Sequence, residues 1–361
     1  MKTSCIKTFL LISIFSFLSA SLSIAQEKVY TDARELTMVG KAKPIPQFYH
    51  RVDTAKYNTM PLGVKRLFTN SAGLAIVFKT NSNSISARWS TLNQRKSNNM
   101  TGIVYKGLDL YIKRNNEWVF AGVGRPADNP TTAAIVSNME DGEKECLLYL
   151  SLYDEVKSLE IGVDEGSYIA AMESPFRKKV VIYGSSILQG ASASRPGMAY
   201  PARMARKLGV DFINLGLSGN GKMEPEVVDM IAGIEADAYI LDCAPNPSPE
   251  QITERTTYLV ETIRKNHPQV PIVMIQSIVR ETGNFDVKAR EVVAGQNRNF
   301  KAEYDKLVAA GVKDLYYIEG NLIGSDHEGT TDGIHPNDLG FDRMLQVIQP
   351  FVADILKKYG I

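Results

Sequence analysis

Short runs in which apolar and polar residues alternate dominate the chain from about residue 62 to residue 168. This period of two predicts β-strands, because successive side chains of a strand point to opposite faces of a sheet. Polar turns, for example residues 80–83 and 113–116, separate the runs. No sustained helical period occurs in this half, so no helix is predicted there. Short strands at this spacing predict an all-β sandwich of the jelly-roll kind, with strands at 73–78, 84–89, 108–112, 118–123, 146–150 and 159–163.

After residues 175–179 the pattern changes to continuous apolar runs that alternate with amphipathic stretches. Apolar strands alternating with helices predict a parallel sheet that helices cover on both faces. The change divides the chain into an all-β domain over residues 26–175 and an α/β domain over residues 176–361. Ser248 is the predicted N-cap of the third helix. The predicted strands are 180–183, 212–214, 238–241, 270–275 and 315–318, and the predicted helices are 199–208, 224–234, 249–266, 287–310 and 339–358.

The first 25 residues have the pattern of a secretory signal peptide. Lys2 and Lys7 accompany an apolar run over residues 9–18, and the small residues Ser23 and Ala25 precede a predicted cleavage site. The apolar run is shorter than the roughly 20 residues that a membrane-spanning helix needs. We therefore expect cleavage after Ala25 and a secreted or periplasmic protein without stable membrane insertion.

Composition narrows the classes of partner. The 361 residues carry 41 Lys and Arg against 40 Asp and Glu, and nucleic-acid binding is not expected because it depends on clustered positive charge. Beyond the leader, Cys146 and Cys243 are the only cysteines, and two cysteines do not form a disulfide framework. One bridge stays open as an alternative, but two buried free thiols are the favoured expectation. The sequence does not indicate an oligomeric state.

Candidate chemistry lies in the loops that follow the predicted parallel strands, because the carboxyl ends of such strands meet at one crevice. A serine hydroxyl becomes a useful nucleophile when an imidazole takes its proton and a carboxylate orients that imidazole. Ser186, His335 and Asp332 can supply these three groups. The backbone N–H groups of Ser186 and Gly219 and the side-chain amide of Asn246 can stabilise an oxyanion.

In this order the residues resemble the SGNH (GDSL-type) hydrolases over about residues 178 to 358. That family has a serine after its first strand, a glycine after the second, an asparagine after the third and an Asp-x-x-His pair near the end. Ser186, Gly219, Asn246 and the pair Asp332 and His335 match this pattern. The resemblance implies a flavodoxin-like three-layer α/β/α domain and a serine esterase that needs no cofactor and no metal. It also implies that Ser186 attacks, His335 acts as base and then acid, and Asp332 orients His335.

Two positions depart from the family pattern. Ser185 stands where an aspartate usually precedes the nucleophile, and Ala244 stands where a glycine is common before the asparagine. Neither change removes a catalytic group. The first half resembles the β-sandwich that precedes the hydrolase domain in some secreted bacterial members.

Each candidate has a rival. Ser185 is a second hydroxyl beside Ser186, and His327 with its neighbour Asp326 occupies the same long loop as His335. Adjacent residues usually point in different directions, so Asp326 is a poorer orienting partner for a histidine than Asp332. A zinc site or a phosphate-binding loop is not expected, because the chain lacks His-Glu-x-x-His and a Gly-Lys-Ser/Thr ending after its first parallel strand.

The expected substrate is a small-molecule or glycan ester, and carbohydrate O-deacetylation is the first hypothesis. The small polar segment 189–195 favours a short acyl group. A lipase or lysophospholipase activity and a non-catalytic glycan-binding role stay open as alternatives. Some aromatic residues could form a sugar-stacking face on the sandwich, although aromatic residues in strands usually belong to the core; they are Trp89, Trp118, Tyr105 and Tyr111.

Overall fold

Two antiparallel sheets form the first half of the chain in the computed structural model, which describes residues 27–94 and 96–361. The predicted signal peptide lies outside the described residues. One sheet has the order β1-β9-β4-β7, and the other has the order β10-β3-β8-β5-β6 with β2 also paired to β3. The strands are β1 Lys28–Asp32, β2 Thr37–Val39, β3 Ala75–Thr80, β4 Ile85–Thr91, β5 Leu108–Arg114, β6 Glu117–Gly124, β7 Thr131–Val136, β8 Lys144–Tyr149, β9 Val156–Asp164 and β10 Ile169–Ala171.

In the second of these sheets the central strands β3 and β8 are largely buried on both faces. In β8, Cys146 and Leu148 point into the core between the two sheets, whereas Leu147 and Tyr149 join the core shared with the second half of the chain. This explains why β8 reads as a continuous apolar run and not as a strict alternation. The all-β sandwich predicted from the sequence is confirmed.

Two short helices interrupt the β-rich half, α1 Leu62–Phe68 and α2 Gly102–Lys106. The prediction that this half contains no helix is therefore wrong. The two helices were missed because seven and five residues are too few to show a helical repeat. Val64 and Phe68 of α1 are fully buried in the core on one face of the parallel sheet. α1 therefore belongs by packing to the second half of the chain.

The second half has a parallel sheet of order β12-β11-β13-β14-β15. From β11 the chain first adds β12 on one side and then crosses to add β13 on the other side. Ligand crevices form where the strand order of a parallel sheet reverses in this way. The flavodoxin-like α/β prediction is confirmed. The strands are β11 Lys179–Gly184, β12 Asp211–Gly216, β13 Ala238–Asp242, β14 Ile272–Ile275 and β15 Leu315–Ile318, and the helices are α3 Ser186–Gln189, α4 Tyr200–Leu208, α5 Pro225–Ala232, α6 Pro249–Asn266, α7 Val287–Ala309 and α8 Asp338–Lys358.

Local chemistry explains where these helices begin. Ser248 caps α6 in a reciprocal capping box with Gln251, as the sequence predicted for the N-cap. Asn337 caps α8 by accepting the Gly340 N–H, so the helix starts directly after the loop that carries His335. None of the helices in the described ranges is long and apolar enough to cross a membrane.

A buried guanidinium joins the two halves. Arg51 donates to the carbonyl oxygens of Asn214 and Gly216 at the end of β12, at 2.9 and 2.8 Å, and also to those of Leu67 and Asn70. Burial away from water lowers its pKa to about 9. Cys146 and Cys243 are buried and free, which agrees with the favoured expectation for the thiols.

Candidate active site

The turn after β11 places two serines in different environments. Ser185 is fully buried, and its Oγ accepts the Ile187 N–H at 3.2 Å, so it is the N-cap of α3. Ser186 is the first residue of α3, lies at the carboxyl edge of the parallel sheet and is 7% exposed. The fold therefore assigns the capping role to Ser185 and leaves the hydroxyl of Ser186 free for other partners.

The structure brings Ser186, His335 and Asp332 into one hydrogen-bonded chain. The Oγ of Ser186 lies 2.9 Å from Nε2 of His335, and Nδ1 of His335 lies 2.8 Å from Oδ2 of Asp332. These distances are within hydrogen-bond range for proton transfer to an imidazole that a carboxylate orients. The three residues come from two loops that are 146 or more positions apart in sequence.

The loop of Asp332 holds its carboxylate ionised. Oδ1 accepts the backbone N–H groups of Ile334 and His335 at 3.0 and 2.8 Å. Partial burial alone would raise the pKa of Asp332, but the hydrogen bonds from His335 and from Asn99 together with the positive charge of an imidazolium lower the pKa to about 2. The carboxylate is therefore available at neutral pH to fix the Nδ1–H tautomer of the imidazole.

Gly219 and Asn246 lie in the neighbouring loops, after β12 and β13. Gly219 has φ +68°, a conformation that glycine adopts without strain, and its N–H has no acceptor among the described residues. Oδ1 of Asn246 accepts the Gly221 N–H at 3.1 Å, which leaves the NH₂ group as the part of this side chain that can donate to a ligand. A Cβ at Gly221 would lie 2.3 Å from the Gly184 carbonyl oxygen, so this close approach of two loops requires glycine.

The rival histidine has other partners. His327 is exposed, and its Nδ1 lies 2.8 Å from Oε2 of Glu281, whereas its neighbour Asp326 forms an ion pair with Arg343. Asp326 thus does not orient His327, as the sequence argument anticipated. Among the described residues no three His, Cys, Asp or Glu side chains form a group that could hold a metal ion.

One residue in contact with the triad was not found from the sequence. Asn99, in the loop between β4 and α2, donates its side-chain amide to Oδ2 of Asp332 at 2.9 Å. Its Nδ2 also lies 3.3 Å from Nδ1 of His335. A polar loop rich in asparagine is typical of turns, and no local pattern indicates a contact with a residue 233 positions away.

The hypothesis of an aromatic sugar-stacking face is wrong for three of its four residues. Trp89 belongs to the core of the sandwich and donates its indole N–H to the Lys106 carbonyl oxygen at 2.9 Å. Tyr105 and Tyr111 are buried in the core shared by the two halves. Trp118 alone of the four is partly exposed, where it borders an open groove together with Arg203 and Arg206.

Comparison with protein families agrees with this geometry. Residues 177–353 match the GDSL-like lipase/acylhydrolase family, and residues 28–169 match the N-terminus of the esterase SGNH hydro-type. A crystal structure of a protein assigned as a GDSL-like lipase from Bacteroides ovatus is 58% identical, with a TM-score of 0.90, and the match covers 92% of this chain and 98% of that chain. The chain belongs to the GDSL-like lipase/acylhydrolase family. Membership makes this SGNH-type protein a serine ester hydrolase.

More distant structures share the fold. The salicylyl-acyltransferase SsfX3 of a tetracycline biosynthetic pathway is 18% identical with a TM-score of 0.71, over 91% of this chain and 97% of that chain. A family two carbohydrate esterase from Cellvibrio japonicus is 14% identical with a TM-score of 0.58, over 92% and 99% of the two chains. No curated protein matches the sequence.

Proposed function

We propose that this GDSL-family hydrolase is a secreted or periplasmic carbohydrate O-deacetylase in which Ser186 is the nucleophile. The observation that carries the catalytic part is the unbroken chain of 2.9 and 2.8 Å hydrogen bonds from Ser186 through His335 to Asp332. The secretory part is supported by the leader pattern of residues 1–25.

In the first step, Ser186 Oγ attacks the carbonyl carbon of the ester while Nε2 of His335 takes the hydroxyl proton. Asp332 stabilises the imidazolium through its hydrogen bond to Nδ1. Negative charge develops on the carbonyl oxygen, and the N–H groups of Ser186 and Gly219 with the Asn246 NH₂ are the donors that stabilise it in this proposal. The imidazolium then gives its proton to the leaving alcohol, and an acyl-enzyme is formed.

In the second step, water replaces the alcohol. His335 removes a proton from the water as the water attacks the acyl carbonyl, and the same proton returns to Ser186 Oγ when the acid leaves. Both steps use the same oxyanion donors. These residues account for the whole ester hydrolysis by acid-base and covalent catalysis.

The choice of a short acyl group rests on the polar character of the site. The segment that follows α3 contributes the small polar residues Ser192 and Ser194, and the loops around the triad contribute Asn99, Asn220 and Asn246. A long acyl chain would need an apolar groove to gain binding free energy from burial. Support for a carbohydrate as the alcohol comes from structural neighbours with the same two-part arrangement, which include carbohydrate esterases and an acetyl xylan esterase from Butyrivibrio proteoclasticus.

One observation favours a lipid ester as the second candidate. Val279 and Phe285 are 52% and 96% exposed on the segment between β14 and α7. Thr282 of that segment donates its N–H to the Gly333 carbonyl oxygen at 3.1 Å, so the segment touches the loop of His335. Exposed apolar side chains beside a catalytic loop can bind a long acyl chain.

Acyl-chain selectivity separates the two candidates. We expect the purified protein to have a much higher kcat/KM on p-nitrophenyl acetate than on p-nitrophenyl laurate and to release acetate from acetylated xylan. Ser186→Ala should abolish all three activities. A preference for laurate that Phe285→Ser removes would replace the carbohydrate proposal with the lipid one. If neither the wild-type protein nor Ser186→Ala hydrolyses any of the substrates, the catalytic assignment is overturned. Glycan binding without catalysis then becomes the favoured function.

A further inference from the structure

The carboxylate of Asp332 takes hydrogen bonds from both halves of the chain. Oδ2 accepts Nδ1–H of His335 at 2.8 Å and the side-chain amide of Asn99 at 2.9 Å, and Oδ1 accepts two backbone N–H groups of its own loop. We propose that Asn99, supplied by the β-rich half, is a positioning residue that completes the Ser186–His335–Asp332 triad. This inference rests on the proposed function.

The backbone of Asn99 is fixed to the segment that follows the nucleophile. The Ser192 hydroxyl donates to the Asn99 carbonyl oxygen at 2.9 Å, and the Thr101 hydroxyl donates to the Ser194 carbonyl oxygen at 2.8 Å. Thr101 is at the same time the N-cap of α2, because its Oγ1 accepts the Val104 N–H at 3.1 Å. The loop that carries Asn99 is therefore held by the hydrolase half on one side and by a helix of the β-rich half on the other.

The chemistry of the Asn99 side-chain amide limits its role beside Asp332 and His335. An amide NH₂ group is only a donor, so Asn99 can hold the carboxylate in place but cannot take the proton of His335. Since both oxygens of Asp332 are engaged, the carboxylate cannot rotate away from Nδ1 without losing a bond. By donating to Oδ2, the amide also stabilises the negative charge on the carboxylate. The carboxylate therefore stabilises an imidazolium less strongly than it would without this hydrogen bond.

Other charged groups near the loop have separate partners. Asp338 accepts the Ser194 N–H at 2.9 Å, and Arg280 donates to the Pro245 carbonyl oxygen at 2.7 Å. Glu281 faces His327. Asp332 is thus the only ionised group hydrogen-bonded to His335 among the described residues, and Asn99 is the neutral side chain that modulates it.

The pH dependence of kcat/KM tests the proposal in the purified protein. Asn99→Ala removes the donor, so kcat/KM should fall about tenfold and the acid limb of the profile should move to higher pH by about half a unit. Asn99→Asp keeps the shape of the side chain but adds a second negative charge, so the acid limb should move further in the same direction. Asn98→Ala, a neighbouring asparagine with an exposed side chain in the same loop, is the matched control and should leave the profile unchanged.

The double variant identifies the residue through which Asn99 acts. In an Asp332→Ala background, Asn99→Ala should cause no further loss of kcat/KM, because its partner is absent. An Asn99→Asp protein with the wild-type acid limb, or losses that multiply in the double variant, would overturn the inference. Those results leave the proposed function intact if Ser186→Ala is inactive. An active Ser186→Ala protein would instead overturn the proposed function.

Discussion

At the scale of single residues, Ser185 and Ser186 have the same side chain but opposite surroundings. The buried Ser185 hydroxyl accepts a backbone N–H of α3, and the Ser186 hydroxyl meets His335. Replacing a serine N-cap by alanine costs about 1 kcal/mol of stability, because a helix N–H loses its acceptor. Ser185 should therefore matter for folding, and Ser186 for turnover.

The variant Ser185→Ala should lower the free energy of unfolding by about 1 kcal/mol and retain most of the kcat/KM. Ser186→Ala, the matched alanine variant one position later, should keep the wild-type stability and lose turnover. Urea unfolding and p-nitrophenyl acetate hydrolysis on both variants measure the two effects. A Ser185→Ala protein that is stable but inactive would show that the wrong serine has been assigned.

At the scale of elements, β13 and α4 meet through a buried pair beneath the site. The Tyr200 hydroxyl at the start of α4 donates to Oδ2 of Asp242 at the end of β13, at 2.7 Å. Complete burial raises the pKa of Asp242 from 3.8 to about 7, although the Tyr200 hydrogen bond acts in the opposite direction. Between these two pH values the folded protein keeps a proton that the unfolded chain has released.

The contribution of the protonated Asp242 carboxyl to the free energy of unfolding is therefore fully present below about pH 4. This contribution is lost as the pH rises towards 7. In Asp242→Asn the amide is neutral at every pH and can still accept from Tyr200. We expect the stability of the wild type relative to this variant to fall by on the order of 1 kcal/mol per pH unit across that window. Thermal unfolding at intervals from pH 4 to 8 checks the difference. A constant offset between the two proteins would show that Asp242 is ionised throughout.

The five longer helices of the second half were predictable because each is long enough to show its own period, whereas the four-residue helix α3 was missed. The predicted helix over residues 249–266 has those bounds in the structure, and the other four predicted helices differ from the observed ones by at most a few residues. In the β-rich half, the strands β1, β2 and β10 and the helices α1 and α2 were missed, since segments of three to seven residues carry little repeat. β7, with the sequence TTAAIV, was missed because its apolar residues do not alternate clearly.

At the scale of the whole molecule, the β-rich half supports the site as well as covering the sheet. Tyr153 donates its hydroxyl to the Ser186 carbonyl oxygen at 3.2 Å, and Gln189 of α3 donates to the Leu152 carbonyl oxygen at 3.0 Å. Together with Asn99 these contacts surround the nucleophile turn with residues from the first half. The motif order in the sequence predicted Ser186, His335 and Asp332 as a group, and the structure brings these three side chains together. Contacts such as that of Asn99 arise only when distant segments pack, so no local pattern could indicate them.

Replacing Arg51, which is hydrogen-bonded to both halves of the chain, tests whether the two halves unfold together. Arg51→Met removes the donors to four carbonyl oxygens, two of them on β12, and unpaired buried acceptors cost about 1–3 kcal/mol each at most sites. We expect the free energy of unfolding to fall by about 3 kcal/mol or more, in a single transition because the halves share one core. Arg177→Met, at an exposed arginine, is the control and should change the stability by less than about 0.5 kcal/mol. A separate early transition of the β-rich half would contradict the shared core.

The identity of the nucleophile is the central claim, and covalent labelling tests it most directly. A fluorophosphonate reacts with a serine that an adjacent imidazole activates, and peptide mass spectrometry locates the label. The geometry predicts one label per chain, on Ser186, that is absent from Ser186→Ala and forms far more slowly in His335→Ala. A label on Ser185, or an unlabelled wild-type protein that still hydrolyses p-nitrophenyl acetate, would contradict the account.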